Sequence, residues 1–347
     1  MHPRARAALL FLLGIGVLAA LLAYVGPAEV VRALRAASPA YLGLAVLAYA
    51  VFFLLRGLRW KMLFSYSAPD VRLSSTTSLT AVGWLANSIL PLKGGDVLRA
   101  ALLARRERVG LAASAATVGL ERVLDVLGVA LVAAMGLLLL PHAAELPTGL
   151  ERALAIVWIL PLLSIGILLA LVRWRAQAVR VAGSLLRPLG KFGRKLVEFG
   201  DTVLAGLAAL AGKPRLLAKL LPMTIAVALA QTLIFTFLVK AFLGPTLLLA
   251  FAGSALFLMS FVVSITPGNV GTYEAAFAAI FVALGTPADV AIPAGVLTHV
   301  VTTLTVAVLG GIGMAAMGLT RQRAEPLPWT SGQPHAPRAP TQGGGSP

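Results

Sequence analysis

The sequence has no cysteine and few charged residues. The absence of cysteine from all 347 positions excludes disulfide frameworks, thiolate zinc sites, iron–sulfur clusters and cysteine nucleophiles. Only 12% of the residues are charged, and 13 acidic residues stand against 29 basic ones, which gives a net charge of +16. Because 59% of the residues are hydrophobic, this composition is typical of a membrane protein and disfavours nucleic-acid binding.

Six apolar stretches have the composition of membrane-spanning helices. A hydrocarbon core about 30 Å thick needs roughly 20 apolar residues. The stretches are Ala7–Val25, Tyr41–Leu55, Leu111–Leu140, Ala153–Val172, Leu220–Phe242 and Val290–Gly318. The first resembles a signal peptide, but it is too long for one and has no convincing cleavage site, so we expect a retained helix.

Two further apolar regions are interrupted by proline and glycine. They are Leu73–Pro91 and Leu247–Leu284, the second broken around Pro267. Because proline removes a backbone donor and glycine loosens a helix, we predict broken or re-entrant helices here. The predicted hinge residues are Pro91, Gly94, Gly95, Pro267, Gly268 and Gly271.

The two breaks resemble each other in sequence. Ser88-Ile89-Leu90-Pro91, followed by Gly95, aligns without gaps with Ser264-Ile265-Thr266-Pro267, followed by Gly271, at an offset of 176 residues. Two interrupted helices in corresponding halves are typical of transporters built from structural repeats. We therefore predict a pseudo-repeat, the alternative being chance similarity among residues that are common in membranes.

The distribution of charge in the loops predicts the orientation. Residues 173–219 contain ten basic and two acidic residues, whereas residues 141–151 contain two acidic and no basic ones. The positive-inside rule then places the basic segments and both termini in the cytoplasm, as in a multi-pass protein of the cytoplasmic (inner) membrane.

These observations divide the chain into two parts. Residues 1–320 form an all-α polytopic membrane domain with about six full transmembrane helices and two broken or re-entrant elements. Within its basic loop, residues 173–219, apolar residues recur at helical spacing, which predicts an amphipathic helix at the inner interface, either a passive connector or a lipid sensor. Residues 321–347 are rich in Pro and Gly and are predicted to form a disordered cytoplasmic tail.

Glu121, Arg122 and Asp125 lie inside an apolar stretch, about 15–21 Å from its start along the helix axis. A charge at this depth costs about 2.5–3.5 kcal/mol, so the cluster must face protein or water. Glu121 and Asp125 are one turn apart, so either a cation lies between them or one is protonated. We predict a charge-coupling or gating role, with a structural ion pair as the alternative.

The segment after the first break has the features of an anion site. Lys93-Gly94-Gly95-Asp96 opens a predicted helix that also carries Arg99. Glycine permits close approach to the backbone, and the free N–H groups at a helix start attract anions, so Lys93 and Arg99 predict a phosphate cradle. Alternatively, Asp96 caps the helix and Arg99 extends to the membrane interface.

Two other groups of polar residues have two interpretations each. Glu274 follows the second break, where it either stabilises the start of a helix or binds a proton, a cation or a lipid amine. His299 lies in an apolar stretch and is expected to bond to a neighbour. Arg56, Arg59, Trp60 and Lys61 end the second stretch, where such residues ordinarily anchor helices in headgroups; the alternative for Arg59 is contact with a lipid substrate.

Taken together, these residues resemble a known family, the lysylphosphatidylglycerol synthase transmembrane or flippase-like domains, across roughly residues 5–318. The matching motifs are Arg56-x-x-Arg59-Trp60, Asn87-x-x-x-Pro91-x-x-x-Gly95-Asp96-x-x-Arg99, Glu121-Arg122-x-x-Asp125 and Pro267-Gly268-x-x-Gly271-x-x-Glu274. The family more usually has Glu where this chain has Asp96, which is a conservative departure.

The resemblance implies a domain that moves lipids between leaflets, with its two broken elements meeting at the centre. Some members flip aminoacylated phosphatidylglycerol, and others are tied to lipid-linked sugars or hopanoids. The sequence shows no soluble aminoacyl-transferase domain, so we expect no aminoacylation. The expected lipid-binding residues are Arg59, Asn87, Lys93, Asp96, Arg99, Arg122 and Asn269, and the expected charge-coupling residues are Glu121, Asp125 and Glu274.

The preferred hypothesis is a flippase for an anionic or phosphate-bearing lipid, either a phospholipid or a polyprenyl-phosphate-linked lipid. No nucleophile elbow, HExxH or other catalytic motif is present in the sequence. We therefore expect no catalytic residues, metal or cofactor. The alternatives are a membrane enzyme and a non-transporting scaffold that acts with a separate lipid-modifying synthase. The expected partners are membrane lipids, such a synthase and further copies of the chain.

Overall fold

The computed structural model describes residues 34–64, 71–90, 93–139, 173–211, 213–260, 267–269 and 271–318, with single positions at 31, 163, 166, 170 and 171. This part is helical, without strands. Its helices are α1 (Pro39–Phe64), α2 (Leu73–Ile89), α3 (Gly94–Arg106), α4 (Leu111–Leu139), α5 (Arg175–Leu185), α6 (Gly190–Ala211), α7 (Pro214–Phe242), α8 (Leu247–Ser260), α9 (Thr272–Ala283) and α10 (Ala288–Ala316), with 3₁₀ turns at Arg187–Leu189 and Pro267–Asn269.

Helices α1, α7 and α10 are long and apolar enough to cross a bilayer. Helix α4 has the same length as α7, 29 residues, but it carries the three charged residues near its middle. The predicted polytopic α-helical class is therefore supported. The predicted stretch Ala7–Val25 and the tail 321–347 lie outside the described residues, as does most of Ala153–Val172.

Helix α1 is longer than predicted. The apolar stretch ends at Leu55, but the helix continues for nine more residues to Phe64. The sequence estimate stopped at Arg56 because charge ordinarily ends a span. In the structure Arg56 and Arg59 are fully buried and paired, so the helix continues past them inside the protein.

Helix α2 is continuous from Leu73 to Ile89. Its hydroxyl side chains bond to carbonyl groups of their own helix, as Thr80 Oγ1 does to the Thr76 carbonyl over 2.7 Å. Such bonds satisfy polar side chains without breaking a helix. The break follows Ile89, where Leu90 is extended. Pro91, the predicted hinge, lies outside the described residues.

The chain returns along α2 as α3, so the first break forms a helical hairpin. Lys93 precedes α3 in a left-handed conformation with φ of 54°. Helices α2 and α3 are in contact, and a Cβ added at Gly95 would collide with the Gly83 carbonyl oxygen. Glycine at position 95 therefore permits the two helices to meet at backbone distance.

The second break has a similar form. Helix α8 ends at Ser260, the 3₁₀ turn Pro267–Asn269 follows, and α9 begins at Thr272. Within this segment Gly268, Asn269 and Gly271 all have positive φ. The turn contacts α2, so the two interrupted elements meet, as the resemblance implies.

The bundle core combines large aromatic side chains with closely packed glycines. Helix α1 packs along α7, and α10 packs along α2. Phe257, Tyr273 and Phe277 form edge-to-face pairs with ring centroids 4.9–5.4 Å apart. Gly310 and Gly313 of α10 lie against backbone atoms of α2. Small residues that bring helix backbones close are a common source of helix association in membranes.

The basic segment contains helices α5 and α6, and α6 lies where the amphipathic helix is predicted. Phe192, at 64% exposure, lies on its apolar side, while Val203 and Phe199 face Gly119 of α4. Arg175 donates a 2.6 Å hydrogen bond to Asp201 that ties α5 to α6. The Arg175 guanidinium holds the pKa of the Asp201 carboxyl below its ordinary value.

Candidate functional site

A network of seven charged side chains connects α1, α3 and α4. It contains four guanidinium groups and three carboxylates, so one positive charge is in excess. The residues are Arg56, Arg59, Asp96, Arg99, Glu121, Arg122 and Asp125. We call this set the charge network. Six of its members were predicted as site residues, and the structure brings all six together.

Glu121 lies at the centre of the charge network, with a fully buried side chain. Its Oε2 is 2.7 Å from Arg99 Nη1, and its Oε1 is 3.7 Å from Arg59 Nη2 and 3.9 Å from Arg56 Nη2. Because Glu121 is the tenth residue after the start of α4, the contacts lie about 15 Å along that helix. Three helices are thus joined by one carboxylate.

Asp125, one turn further along α4, uses two of the same arginines. Arg56 Nη2 donates a 2.8 Å hydrogen bond to Asp125 Oδ2, and Arg59 Nη2 donates to Oδ1. Arg59 therefore contacts both Asp125 and Glu121. Of the two sequence-based alternatives for this carboxylate pair, the structure has the one in which a cation lies between them.

Asp96 connects the first break to α4. Arg122 Nε donates to Asp96 Oδ2 over 2.8 Å, and Arg99 Nε donates to Oδ1 over 3.2 Å. Asn87 of α2 lies 3.4 Å from the same Oδ1 through its Nδ2. Asp96 is in the first turn of α3, but these contacts go to side chains. Its main partners are therefore arginines and not the free N–H groups of the helix start.

Aromatic rings enclose the buried arginines. The Arg99 guanidinium lies 4.6 Å from the Trp60 ring centroid, and Arg56 lies 5.5 Å from the Trp84 ring. Trp60 Nε1 donates to Thr117 Oγ1 over 2.9 Å, which fixes the ring. Cation–π contacts strengthen when the cation is desolvated.

This burial corrects two sequence-based alternatives. Arg56, Arg59 and Trp60 are at most 1% exposed, so these residues are not headgroup anchors. One Nη of each arginine and the indole N–H have partners inside the bundle. Arg99 is also fully buried and does not extend to the interface. Lys61, the last residue of that motif, is half-buried.

The charge network becomes more exposed in one direction. Arg122 retains 33% of its side-chain exposure and Asp125 15%, whereas Glu121 has none. Lys93, at the tip of the first hairpin, is exposed and lies within electrostatic range of Arg122 and Asp96. The charge network is therefore most exposed on the side of Arg122 and Lys93.

Several buried nitrogen atoms of the charge network lack a hydrogen-bond partner. They include Nε and Nη1 of Arg59 and Nη2 of Arg99. A buried donor without an acceptor costs free energy, so donors of this kind are rarely left unmatched. Together with the excess positive charge, these donors enable the site to bind a negatively charged hydrogen-bond acceptor.

The second break has different chemistry. His299 Nδ1 of α10 lies 2.7 Å from Glu274 Oε1, and Glu274 Oε2 accepts a hydrogen bond from the Gly271 N–H over 2.7 Å. The Tyr273 ring stacks on His299 with centroids 4.2 Å apart. Among the described residues, no ion pair joins Glu274 to the charge network. The expected bond of His299 to a neighbour is confirmed.

Asn269, also predicted as a lipid-binding residue, lies in the 3₁₀ turn that contacts α2. Its carbonyl accepts a hydrogen bond from Thr272 Oγ1 over 3.0 Å. The other predicted residues of this break, Pro267, Gly268 and Gly271, form the backbone turn around it. Asn269 thus lies in a turn that contacts α2, the helix that leads into the first break.

Sequence reasoning missed one charged member of the network and its aromatic surroundings. Arg56 was assigned to headgroup anchoring, although it stands one helical turn before Arg59 on α1, and residues at i and i+3 share a helix face. That spacing was the available signal. Trp84 and Thr117 lie on other helices, and no local pattern links them to arginines.

The sequence also matches known proteins over most of its length. The family described as the lysylphosphatidylglycerol synthase TM region matches residues 10–310. The chain belongs to this family. The matched residues include the charge network and both breaks. The resemblance stated from the motifs is therefore confirmed.

Two curated relatives are similar to this family member. The UPF0104 membrane protein of Methanothermobacter thermautotrophicus is 32% identical over 122 residues, which cover 35% of this chain and 36% of that protein. Glycosyltransferase AglD of Haloferax volcanii is 27% identical over 336 residues, covering 87% of this chain and 53% of that protein. The chain thus spans about half the length of the glycosyltransferase and about a third of the UPF0104 protein. No solved structure matches it.

Proposed function

We propose that this chain is a lipid transporter that moves a phosphate-bearing or otherwise anionic lipid between membrane leaflets. The observation that carries the proposal is the charge network, which holds more arginines than carboxylates beside an interrupted helix at membrane depth. The family membership and the relative named as a glycosyltransferase support a lipid-related role in the membrane. We propose an anionic phospholipid or a polyprenyl phosphate as the substrate.

The electrostatics favour an anion. A lipid phosphate that leaves water for hydrocarbon loses its hydration at large cost. Arginine has a planar fork of N–H donors that matches phosphate oxygens in two-point contacts. Arg122, a third exposed, stands where an arriving headgroup meets the network, and it can exchange Asp96 for phosphate. Arg99 and Arg59 carry the buried donors without partners that lie deeper along this route.

The same geometry argues against a purely structural role. A buried ion-pair cluster that serves only stability is sealed and self-neutralising, because uncompensated buried charge is costly. Here the positive groups exceed the negative ones by one, and Lys93 adds an exposed cation nearby. Every carboxylate of the network already faces an arginine, so we propose a binding site for anions and no metal-dependent enzyme.

The second break is our candidate for coupling movement to a proton or a cation. Glu274 both closes the start of α9 and contacts His299 on α10. A change in the charge of either partner alters the attraction between these helices. With the breaks in contact through α2, such a change can reach the charge network.

We propose the inner membrane as the location, with both termini cytoplasmic, because the basic residues concentrate in residues 173–219. In that orientation the ends of α1 and α3 that carry Lys61 and Arg106 face the cytoplasm. Insertion of a reporter after residue 318 and accessibility labelling of intact cells measure this orientation. Labelling from the outside would contradict it.

Reconstitution tests the transport proposal. The purified chain is placed in vesicles containing fluorescent phosphatidylglycerol, phosphatidylcholine or a polyprenyl phosphate, and leaflet exchange is followed by quenching of the outer leaflet. We expect faster exchange of an anionic lipid, and a loss of about tenfold in Arg122→Gln because one charge-assisted phosphate contact is worth roughly 1.4 kcal/mol or more. Arg180→Gln, an exposed arginine of α5, is the matched control.

Two outcomes would contradict lipid transport through the charge network. One is an unchanged exchange rate for all three lipid classes at measured protein density. The other is equal exchange by wild type and Arg122→Gln when both remain folded. Since Arg122 is only partly buried, we expect that variant to fold, and thermal unfolding in detergent verifies it.

The second candidate function is an accessory membrane protein for a separate lipid-modifying synthase, and the similarity to glycosyltransferase AglD favours it. A scaffold of this kind would support its partner enzyme without moving lipid. If Arg122→Gln abolishes lipid exchange but leaves the partner reaction intact, the two roles are separate. A further copy of the chain as partner remains a prediction that mass measurement in detergent tests.

A further inference from the structure

A second cationic site lies outside the charge network, at the ends of three helices. A cleft of about 540 Å³ opens there, beside the last turn of α1, the start of α2 and the end of α3. Its lining residues are Lys61, Arg72, Arg106, Glu107 and Arg108. We call it the basic cleft. Four of its five lining side chains are cations.

The one carboxylate of the basic cleft is already engaged. Glu107 accepts a hydrogen bond from Ser75 Oγ and a 3.3 Å bond from the backbone N–H of Arg72. It therefore fixes the start of α2 against the end of α3. Even with the negative charge of Glu107, the four cations leave the lining side chains with an excess of three positive charges.

One cation of the basic cleft is held in a defined position. Arg106 Nε donates to Ser75 Oγ over 3.3 Å, and its Nη1 donates to the Met317 carbonyl over 3.1 Å. These bonds fix the plane of the guanidinium, so less conformational entropy is lost when it contacts a ligand.

Arg108 contributes through an unusual backbone. Its φ is 55°, a left-handed conformation that side chains with a Cβ seldom adopt. Non-glycine residues in this region concentrate at functional sites. The other two such residues among the described part of the chain are Lys93 and Asn269, one at each break.

We propose that the basic cleft binds an anion that carries one or two phosphate groups, either as the headgroup of a lipid in the adjacent leaflet or as a free phosphate. Its volume lies within the range of small-ligand pockets. Its three arginines provide planar donor forks for phosphate. The basic cleft is distinct from the charge network, since Arg106 lies two turns, about 10 Å, from Arg99 along α3.

This site does not depend on the transport proposal. Binding at the basic cleft needs no movement of lipid between leaflets, so a chain that binds phosphate here and fails to exchange lipid would contradict transport alone. Where both hold, the basic cleft gathers anionic headgroups next to the helix that carries Arg99.

Calorimetric titration of the purified full chain in neutral detergent tests the proposal. The probes are inorganic phosphate, inorganic diphosphate and dihexanoyl-phosphatidylglycerol below its micelle concentration. We expect the double variant Arg72→Gln with Arg108→Gln to bind the preferred probe about tenfold more weakly. The matched control, Arg180→Gln with Arg187→Gln, removes two exposed arginines from the basic segment and should stay within about twofold.

The relative affinities of the probes and the losses in the variants distinguish a headgroup site, a soluble-anion site and no site. Tighter binding of the short-chain lipid than of the free anions supports a headgroup site, and equal binding of inorganic diphosphate supports a soluble anion at the same cleft. Equal losses in the two double variants, or no binding of any probe to the wild type, overturn the proposal. If the first double variant unfolds, Lys61→Gln with Arg108→Gln replaces it with the same expected loss.

Discussion

The two breaks of this membrane domain share a backbone feature but not their chemistry. Lys93 and Asn269 stand 176 residues apart, at corresponding positions of the predicted repeat, and both are left-handed, with φ of 54° and 60°. In each half this residue lies just before a new helix. A shared conformation that is rare for non-glycine residues supports the predicted pseudo-repeat.

The residues that follow differ in charge. Asp96 and Arg99 belong to the charge network, whereas the corresponding residues in the second half are Thr272 and Ala275. The second break places a carboxylate, Glu274, against a histidine and an aromatic ring. The two halves therefore share the turn geometry, while the charge network lies in the first half.

Neutralising one carboxylate in each half tests whether the two halves have different roles. Glu121→Gln leaves three arginines facing a neutral amide in a fully buried site, and removing one partner of a buried pair costs about 3–5 kcal/mol. Glu274→Gln should cost less, because that side chain keeps 11% exposure and its partner His299 can be neutral. Thermal unfolding in detergent, followed by tryptophan fluorescence, measures both.

Glu198→Gln is the control for this experiment, since Glu198 is an exposed residue of α6 and its change should fall within about 0.5 kcal/mol. Equal stabilities of the Glu121 variant and this control would show that the charge network contributes nothing to folding. The assignment of the two halves to different roles would then lose its energetic basis.

Removing both partners of one ion pair tests the direct pairing of charges in the charge network. Arg99 Nη1 and Glu121 Oε2 are 2.7 Å apart, so each single substitution strands a buried charge. Arg99→Met combined with Glu121→Gln removes both charges, and we expect it to be more stable than the sum of the single changes by about 1–3 kcal/mol. The measurement is a double-mutant cycle on the midpoint of thermal unfolding. Strict additivity would contradict the direct pairing of these groups.

Glycine at equivalent positions in the two breaks provides a third test. A Cβ at Gly95 would meet the Gly83 carbonyl and the Asn87 N–H, whereas one at Gly271 meets no atom within 4 Å. Gly95→Ala should therefore separate α2 from α3 and cost about 1–3 kcal/mol. Gly271→Ala would meet no neighbouring atom, but its φ of 78° and ψ of −45° lie outside the left-handed helical region, and holding alanine there costs about 1–3 kcal/mol.

The two glycine variants are compared by thermal unfolding, with Gly43→Ala as a control, since a Cβ at Gly43 has no neighbouring atom within 4 Å. Because Gly43 is helical, alanine there is expected to be neutral or stabilising. Equal stabilities of Gly95→Ala and the Gly43→Ala control would show that the first hairpin is not closed by backbone contact.

The sequence alone predicted the helical class, the two breaks and most members of the charge network, because each depends on local features. Apolar runs, prolines and intramembrane charges are visible within a few residues. The partner of each charge was not visible. Asp96 bonds Arg122, 26 residues away, and Arg56 bonds Asp125, 69 residues away, and such pairs depend on how helices pack.

The same limit explains the errors. Arg56 and Arg99 were given interfacial alternatives because an unpaired arginine prefers water. Both are buried because carboxylates on α4 and aromatic rings on α1 and α2 surround them. The hydroxyl side chains of α2 bond to the backbone of their own helix, as Ser88 Oγ does to the Trp84 carbonyl, and such bonds could not be seen in the sequence.

The smallest expected effect comes from exchanging the two left-handed residues. Lys93→Asn places in the first break the residue of the second, and since asparagine tolerates this conformation better than lysine, stability should change by less than about 1 kcal/mol. Exchange of an anionic lipid in vesicles should nevertheless fall, because the exposed cation near Arg122 is lost. The reciprocal Asn269→Lys keeps the first break intact and should retain exchange at a slight cost in stability. If Lys93→Asn exchanges lipid as fast as the wild type, or if Asn269→Lys reduces exchange more, then the charge of the first break does not distinguish the halves.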